Sequence, residues 1–221
     1  MWIALSSFFT ASINTLTRDH ACMCHKHYPR MSSTSLFSSS TSSLPSAEIV
    51  ANAAAASNVY FIDFEAFQHG KEESYQLKEL CIVELAQPLE PFYQLFAPPQ
   101  PWKHLREPVQ RTYHYQTVNV HGLNWNDGVV PYCRTCLQEN VRCFFPNWIN
   151  GLFYVIGEQK FHYIKTLFPF LRLCEFFIPP NAVMEPCPKF ICCVFRNHGD
   201  HCAVRKCYRL MNYYLHLPHN S

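Results

Sequence analysis

The sequence predicts an α/β fold built on a sheet of mixed direction. Three observations carry that expectation. Three strand-like runs follow one another through short turns, as in an antiparallel meander. Helical and strand-like segments then alternate to the end of the chain. Hydrophobic residues make up 48% of the 221 residues, enough for a proper core.

The first run, "NVYFIDFEAF" at 58–67, is apolar and aromatic apart from two acids. Successive strand residues point to opposite faces, so Asp63 and Glu65 share one face, about 6–7 Å apart. Like charges so placed cost energy unless a cation or water satisfies them. The bland alternative is an edge strand with both carboxylates in solvent. The second run, "YQLKELCIVELAQ" (75–87), mixes apolar and polar positions, and Glu84 reads as a surface residue. The third, "EPFYQLFAPP" (90–99), is stopped by Pro98 and Pro99. "QHGKEE" and "QPLEP" between them are turn-like.

Residues 103–118 read as a helix interrupted at Pro108. A loop spans 118–132, with hinge points at Gly122 and Gly128; Asp127 in it reads as a surface residue. A short helix follows over 129–141. "GLFYVIG" (151–157) is a buried strand, and "EQKFHYIKTLF" (158–168) is a helix with Phe161, Ile164, Leu167 and Phe168 at helical spacing. "LRLCEFFIPP" (171–180) is a further strand. The last helix, within 201–217, carries an apolar stripe through Cys202, Ala203, Cys207, Leu210, Met211, Tyr214 and Leu215.

The Ser-rich stretch 1–57 is excluded from the fold as a disordered leader or an over-extended start, with Met31 as the alternative beginning. Residues 58–217 form the domain, and 218–221 are a tail. The apolar N-terminus lacks a basic residue ahead of it and a clear small-residue cleavage site, so it does not read as a secretory signal. No stretch of 18 apolar residues occurs, so no membrane span is expected. The net charge of +2 is too weak to predict nucleic-acid binding by itself. Twelve cysteines fit either disulfides in a secreted protein or reduced and metal-bound thiols inside a cell. Length and strand-like runs favour the reduced, intracellular reading.

Taken in order, "YFIDFEAF", "NVHGLNWNDGVV", "LFYVIGEQKFHYIKTL" and "HCAVRKCYRL" resemble the RNase H-like 3′–5′ exonucleases of the proofreading DnaQ, or DEDDh, type. A looser likeness links the chain to virus- and transposon-associated sequences with an exonuclease-like start and a Cys/His-rich end. The resemblance implies an antiparallel three-strand meander followed by helices and parallel strands. It also implies Asp63 and Glu65 as ligands of Mg²⁺ or Mn²⁺ and His201 as general base in phosphodiester hydrolysis at single-stranded nucleic-acid ends. Two metal ions would activate water and stabilise the leaving oxygen. Two further acids of the family pattern are replaced, one by His162 and one by Lys206; Glu158 and Asp200 are nearby substitutes. A protonated lysine cannot ligate Mg²⁺ but can neutralise Asp63. The expectation is therefore a degenerate member that binds nucleic acid and has lost the two-metal chemistry.

"CPKFICCVFRNHGDHCAVRKC" (187–207) offers an alternative. Zinc takes four tetrahedral S and N ligands. Cys187 or Cys192 with Cys193, then His198 and Cys202, supply such a set and would staple the last helix to its preceding loop. Free buried thiols explain the same residues equally well. His201 cannot be both a zinc ligand and a base. "CRTC" (133–136) is a lone CxxC whose cysteines lie one helical turn apart and fit simple packing. "WKHLREPVQRTYHYQ" (102–116) interleaves basic and aromatic residues, as single-strand binders do, but reads more simply as an amphipathic helix with a solvated face.

Overall fold

A computed structural model describes residues 58–70, 75–178 and 202–217. Cys187, Cys192, His198 and His201 lie outside these residues, as does the leader. Five strands form one sheet: β1 (Val59–Gln68), β2 (Tyr75–Glu84), β3 (Phe92–Leu95), β4 (Leu152–Ile156) and β5 (Arg172–Phe176). Their spatial order is β3-β2-β1-β4-β5. The first three pair antiparallel, and β4 and β5 run parallel to β1. The expected mixed α/β sheet is thus present.

Hairpin-like turns suffice for the antiparallel half, whereas each parallel step needs a crossover. The crossover from β3 to β4 holds α1 (Glu107–Gln116) and α2 (Arg134–Phe144); the one from β4 to β5 is α3 (Glu158–Leu167). The last helix, α4, is Ala203–Leu215. Pro108 lies in the first turn of α1 and so starts the helix rather than interrupting it. Pro is tolerated there because its missing N–H would have no intrahelical partner.

Helices cover both faces. On one face Tyr60, Ile62 and Phe64 pack with Leu137 and Val141 of α2 and with Ile164 and Leu167 of α3. On the other, Val59 and Phe61 pack with Ala203, Val204, Cys207 and Leu210 of α4. The alternation along β1 thus continues through Asp63 and Glu65 on the α4 side. Being third of five strands, β1 is no edge. Asp63 and Glu65 are each 5% exposed, so the solvent-facing alternative fails.

Covering both faces also buries the polar pair Lys78 and Glu79 of β2 completely. Adjacent strand residues point apart, so each needs its own partners. Lys78 Nζ donates to the carbonyls of Phe96 (2.6 Å), Trp125 (2.9 Å) and Asp127 (2.5 Å). Three ammonium protons thereby meet three carbonyls and pin the 122–128 loop to the sheet. Gly128 fits this close approach. Its φ is +93°, and a Cβ would stand 2.3 Å from the Phe96 carbonyl oxygen. Asp127 is not a bare surface acid: its Oδ2 accepts from the Asn124 amide at 2.6 Å, closing the turn. Glu84 is half-buried, and Tyr60 donates to it at 3.4 Å. Lys78→Met should lower unfolding free energy by at least ~2 kcal/mol, because it strands buried carbonyls. Urea denaturation checks this, and hydrogen exchange should quicken within 122–128.

Candidate functional site

Asp63 and Glu65 sit on the central strand, facing the helix that ends the domain. Glu79 lies directly across from Glu65 in the β1–β2 register, and the ladder shifts just after Glu65. Three buried acids in one patch need compensation. It comes from three sources. Lys160, in the first turn of α3, places Nζ 2.5 Å from Asp63 Oδ1 and 3.5 Å from Glu65 Oε1. It also donates to the Phe64 carbonyl at 2.8 Å. Lys206, in the first turn of α4, donates to Glu65 Oε1 at 2.5 Å. Glu79 Oε2 accepts from the Ala203 amide at 3.0 Å, so a carboxylate of β2 serves the amino end of α4. Amide protons left over at a helix start, with the helix dipole, favour an anion there.

These contacts set the ionisation of the cluster. Burial pushes the Glu65 carboxyl above its ordinary range; Lys160 opposes the shift, the Asp63 charge adds to it, and Lys206 opposes it. Burial pulls Lys160 down, but Asp63 and then Glu65 outweigh it and hold the ammonium above its ordinary value. Asp63 Oδ2 is buried and has no hydrogen-bond partner among the described residues. A cavity of about 280 Å³ opens beside it, lined by Ile62, Asp63, Ile156, Lys160, Lys206, Arg209 and Leu210.

One expected position moves. His162 is exposed and turned from the acids; its Nε2 lies 3.7 Å from Glu158 Oε1, a pair in solvent. The α3 position that meets β1 is Lys160. Two residues advance a helix by about 200°, so the two side chains leave on opposite sides. Lys206 does reach the cluster, but it bonds Glu65, while Asp63 is met by Lys160. Glu158 and the basic run do not join the site. Arg111 pairs with Glu107 in solvent, and Tyr113 packs in the α1 core.

The donor set can be tested against a divalent pair. Mg²⁺ requires oxygen ligands in octahedral array. Here Asp63 and Glu65 hold two ammonium groups, and an ion shared between them would have to take the position of Lys160 Nζ. Two carboxylates and two lysines sum to zero charge without any metal. The described residues of this cluster do not fit a two-metal centre. Those described include no group of three or more metal-ligating side chains.

Cys202 is the N-cap residue of α4. It is buried, with Sγ 3.8 Å from Glu79 Oε1. The described Cys81, Cys133, Cys136, Cys143, Cys174 and Cys207 are free thiols. No described helix is long and apolar enough to cross a membrane. No family model matches the chain, and no curated protein matches it.

Lys160→Met should cost about 3 kcal/mol at pH 7, because it leaves two buried carboxylates with one cation. The folded value of Lys160 lies above its unfolded one. Its contribution is therefore whole below the ordinary lysine value of 10.5 and is lost as pH rises through the folded value. Glu65 is also raised, so it favours the fold when protonated. The variant's deficit should shrink as pH falls toward 4.5, the ordinary value of that carboxyl. Urea titrations of wild type and variant across pH check both directions.

Proposed function

We propose that the chain is a degenerate RNase H-like fold of the 3′–5′ exonuclease type, which binds single-stranded nucleic-acid ends without hydrolysing them. The carrying observation is that two neighbouring carboxylates on one face of the central strand are held by ion pairs. Asp63 and Glu65 stand on β1 opposite the last helix, and Lys160 and Lys206 neutralise them. The strand order and directions support the fold assignment. Arg209 lines the same cavity as the two neutralised lysines and adds positive charge there, which suits a phosphate better than a hydrolytic metal.

Binding in this reading rests on charge, so it should weaken steeply with salt. A 3′-labelled oligonucleotide should be retained by the full chain in a mobility-shift assay and stay full-length in Mg²⁺ or Mn²⁺. Arg209→Ala should weaken retention by roughly threefold or more, in line with a lost phosphate contact. Stepwise shortening of the strand, abolished by Asp63→Ala, would show an active exonuclease and overturn the reading.

A second reading has its own observation. Buried Cys202 beside the buried Glu79 carboxylate offers S and O donors where the Cys/His run 187–201 enters α4. In this reading zinc staples α4 to the sheet and the protein acts as an interaction module. Metal analysis of chain purified without added zinc should then give one zinc per chain, and Cys202→Ser should lose it. Zinc-free protein of unchanged stability sinks this second reading.

A further inference from the structure

The Cys133-x-x-Cys136 pair belongs to none of these assignments. Cys133 is the N-cap of α2, an eleven-residue helix, and its Sγ accepts from the Cys136 amide at 3.4 Å. The thiol of Cys136 donates to Cys133 Sγ across 2.7 Å. The two sulfurs thus already face one another, and a disulfide needs them at about 2.05 Å. Neither side chain is in the core; both are partly exposed, and Val129, Pro131 and Tyr132, just before them in sequence, are exposed. The following turns carry the core residues Leu137 and Val141, which anchor the helix that presents the pair.

The two thiols are also unequal. The hydrogen bond from Cys136, then the Cys136 amide, hold the Cys133 thiol below its ordinary value. The same contact pushes Cys136 up. By contrast, burial pushes Cys81 and Cys207 up, which leaves them protonated in the core. An accessible cysteine whose thiol ionises more readily than usual, at a helix start with a second thiol one turn on, is the arrangement that reacts with disulfides.

We propose that Cys133 and Cys136 form a reversible dithiol–disulfide site whose substrate is a small-molecule disulfide of the glutathione type. The Cys133 thiolate attacks one sulfur of the disulfide RSSR, forms a mixed disulfide and expels RS⁻. The Cys136 sulfur, giving up its proton, then attacks Cys133 Sγ and expels the second RS⁻. One S–S bond breaks and one forms. The protein loses two electrons, RSSR gains them, and the two protons from the cysteines end on the two released thiols. Excess small thiol reverses both steps. Closure ties the first turn of α2 to the loop that enters it, leaving the Leu137 and Val141 contacts in place.

The test uses the full chain, reduced, freed of reductant and exposed to oxidised glutathione. Remaining thiols are then blocked with N-ethylmaleimide before tryptic digestion without reductant. Arg134 lies between the cysteines, so trypsin cuts inside the loop. The expected product is peptide 112–134 joined to peptide 135–142, two hydrogens lighter than their sum and separated by dithiothreitol. In Cys136→Ser the glutathione adduct should accumulate on Cys133 at least ~5-fold faster than on exposed Cys143, as its thiolate character requires. The proposal is overturned if wild-type Cys133 and Cys136 both carry maleimide after that exposure. It is equally overturned if adducts in the variant spread evenly over Cys133, Cys143 and Cys174.

Discussion

The sheet can bury carboxylates at its centre only because cations arrive from two helices. An unpaired carboxylate in such a place would stay neutral or unfold its surroundings. Asp63 and Glu65 are instead held by Lys160 of α3 and Lys206 of α4. That requirement fixes much else. It places the first turn of α3 over the end of β1, and it brings the start of α4 against β2, where Glu79 meets the Ala203 amide. A buried ion cluster adds little net stability compared with an apolar core. It does specify register: a one-residue slip of β1 would turn both acids to the other face and leave both lysines without partners.

A second buried charge acts on the opposite face by the same logic but without a carboxylate. Lys78 is answered by three backbone carbonyls, two of them from the loop after α1. The loop therefore closes over the end of β3, and the isolated bridge between Phe96 and Val130 continues that closure. One device ties two helices to the sheet and the other ties a loop to it, and both depend on β1 and β2 being covered on each side.

The strand and helix sequence was largely legible, because period-two and helical apolar patterns report burial directly. That Asp63 and Glu65 share one face was legible from strand alternation; that the last helix covers this face was expected only from the resemblance. Lys160 was not. Phasing α3 on Phe161 drew attention to His162, yet Phe161 is only partly buried, whereas Ile164, Leu167 and Phe168 are in the core. Phasing on Ile164 and stepping back one turn lands on Lys160, so the signal was present in the apolar positions. Lys78 and Glu79 were hidden for another reason. Within a strand, an adjacent basic and acidic pair looks like a solvated stretch, and only the double coverage of β2 shows otherwise. Pro108 misled because the same residue that breaks a helix interior also begins one.

The central claim is that lysine ammonium groups, and not divalent ions, hold Asp63 and Glu65. Mn²⁺ titration of the purified full chain, followed by the paramagnetic resonance signal of the free ion, addresses it most directly. The account predicts no tight site dependent on Asp63, and the appearance of one in Lys160→Asp with Lys206→Asp, where four acids would face each other. Stoichiometric Mn²⁺ uptake by the wild-type chain, lost in Asp63→Asn, would contradict it.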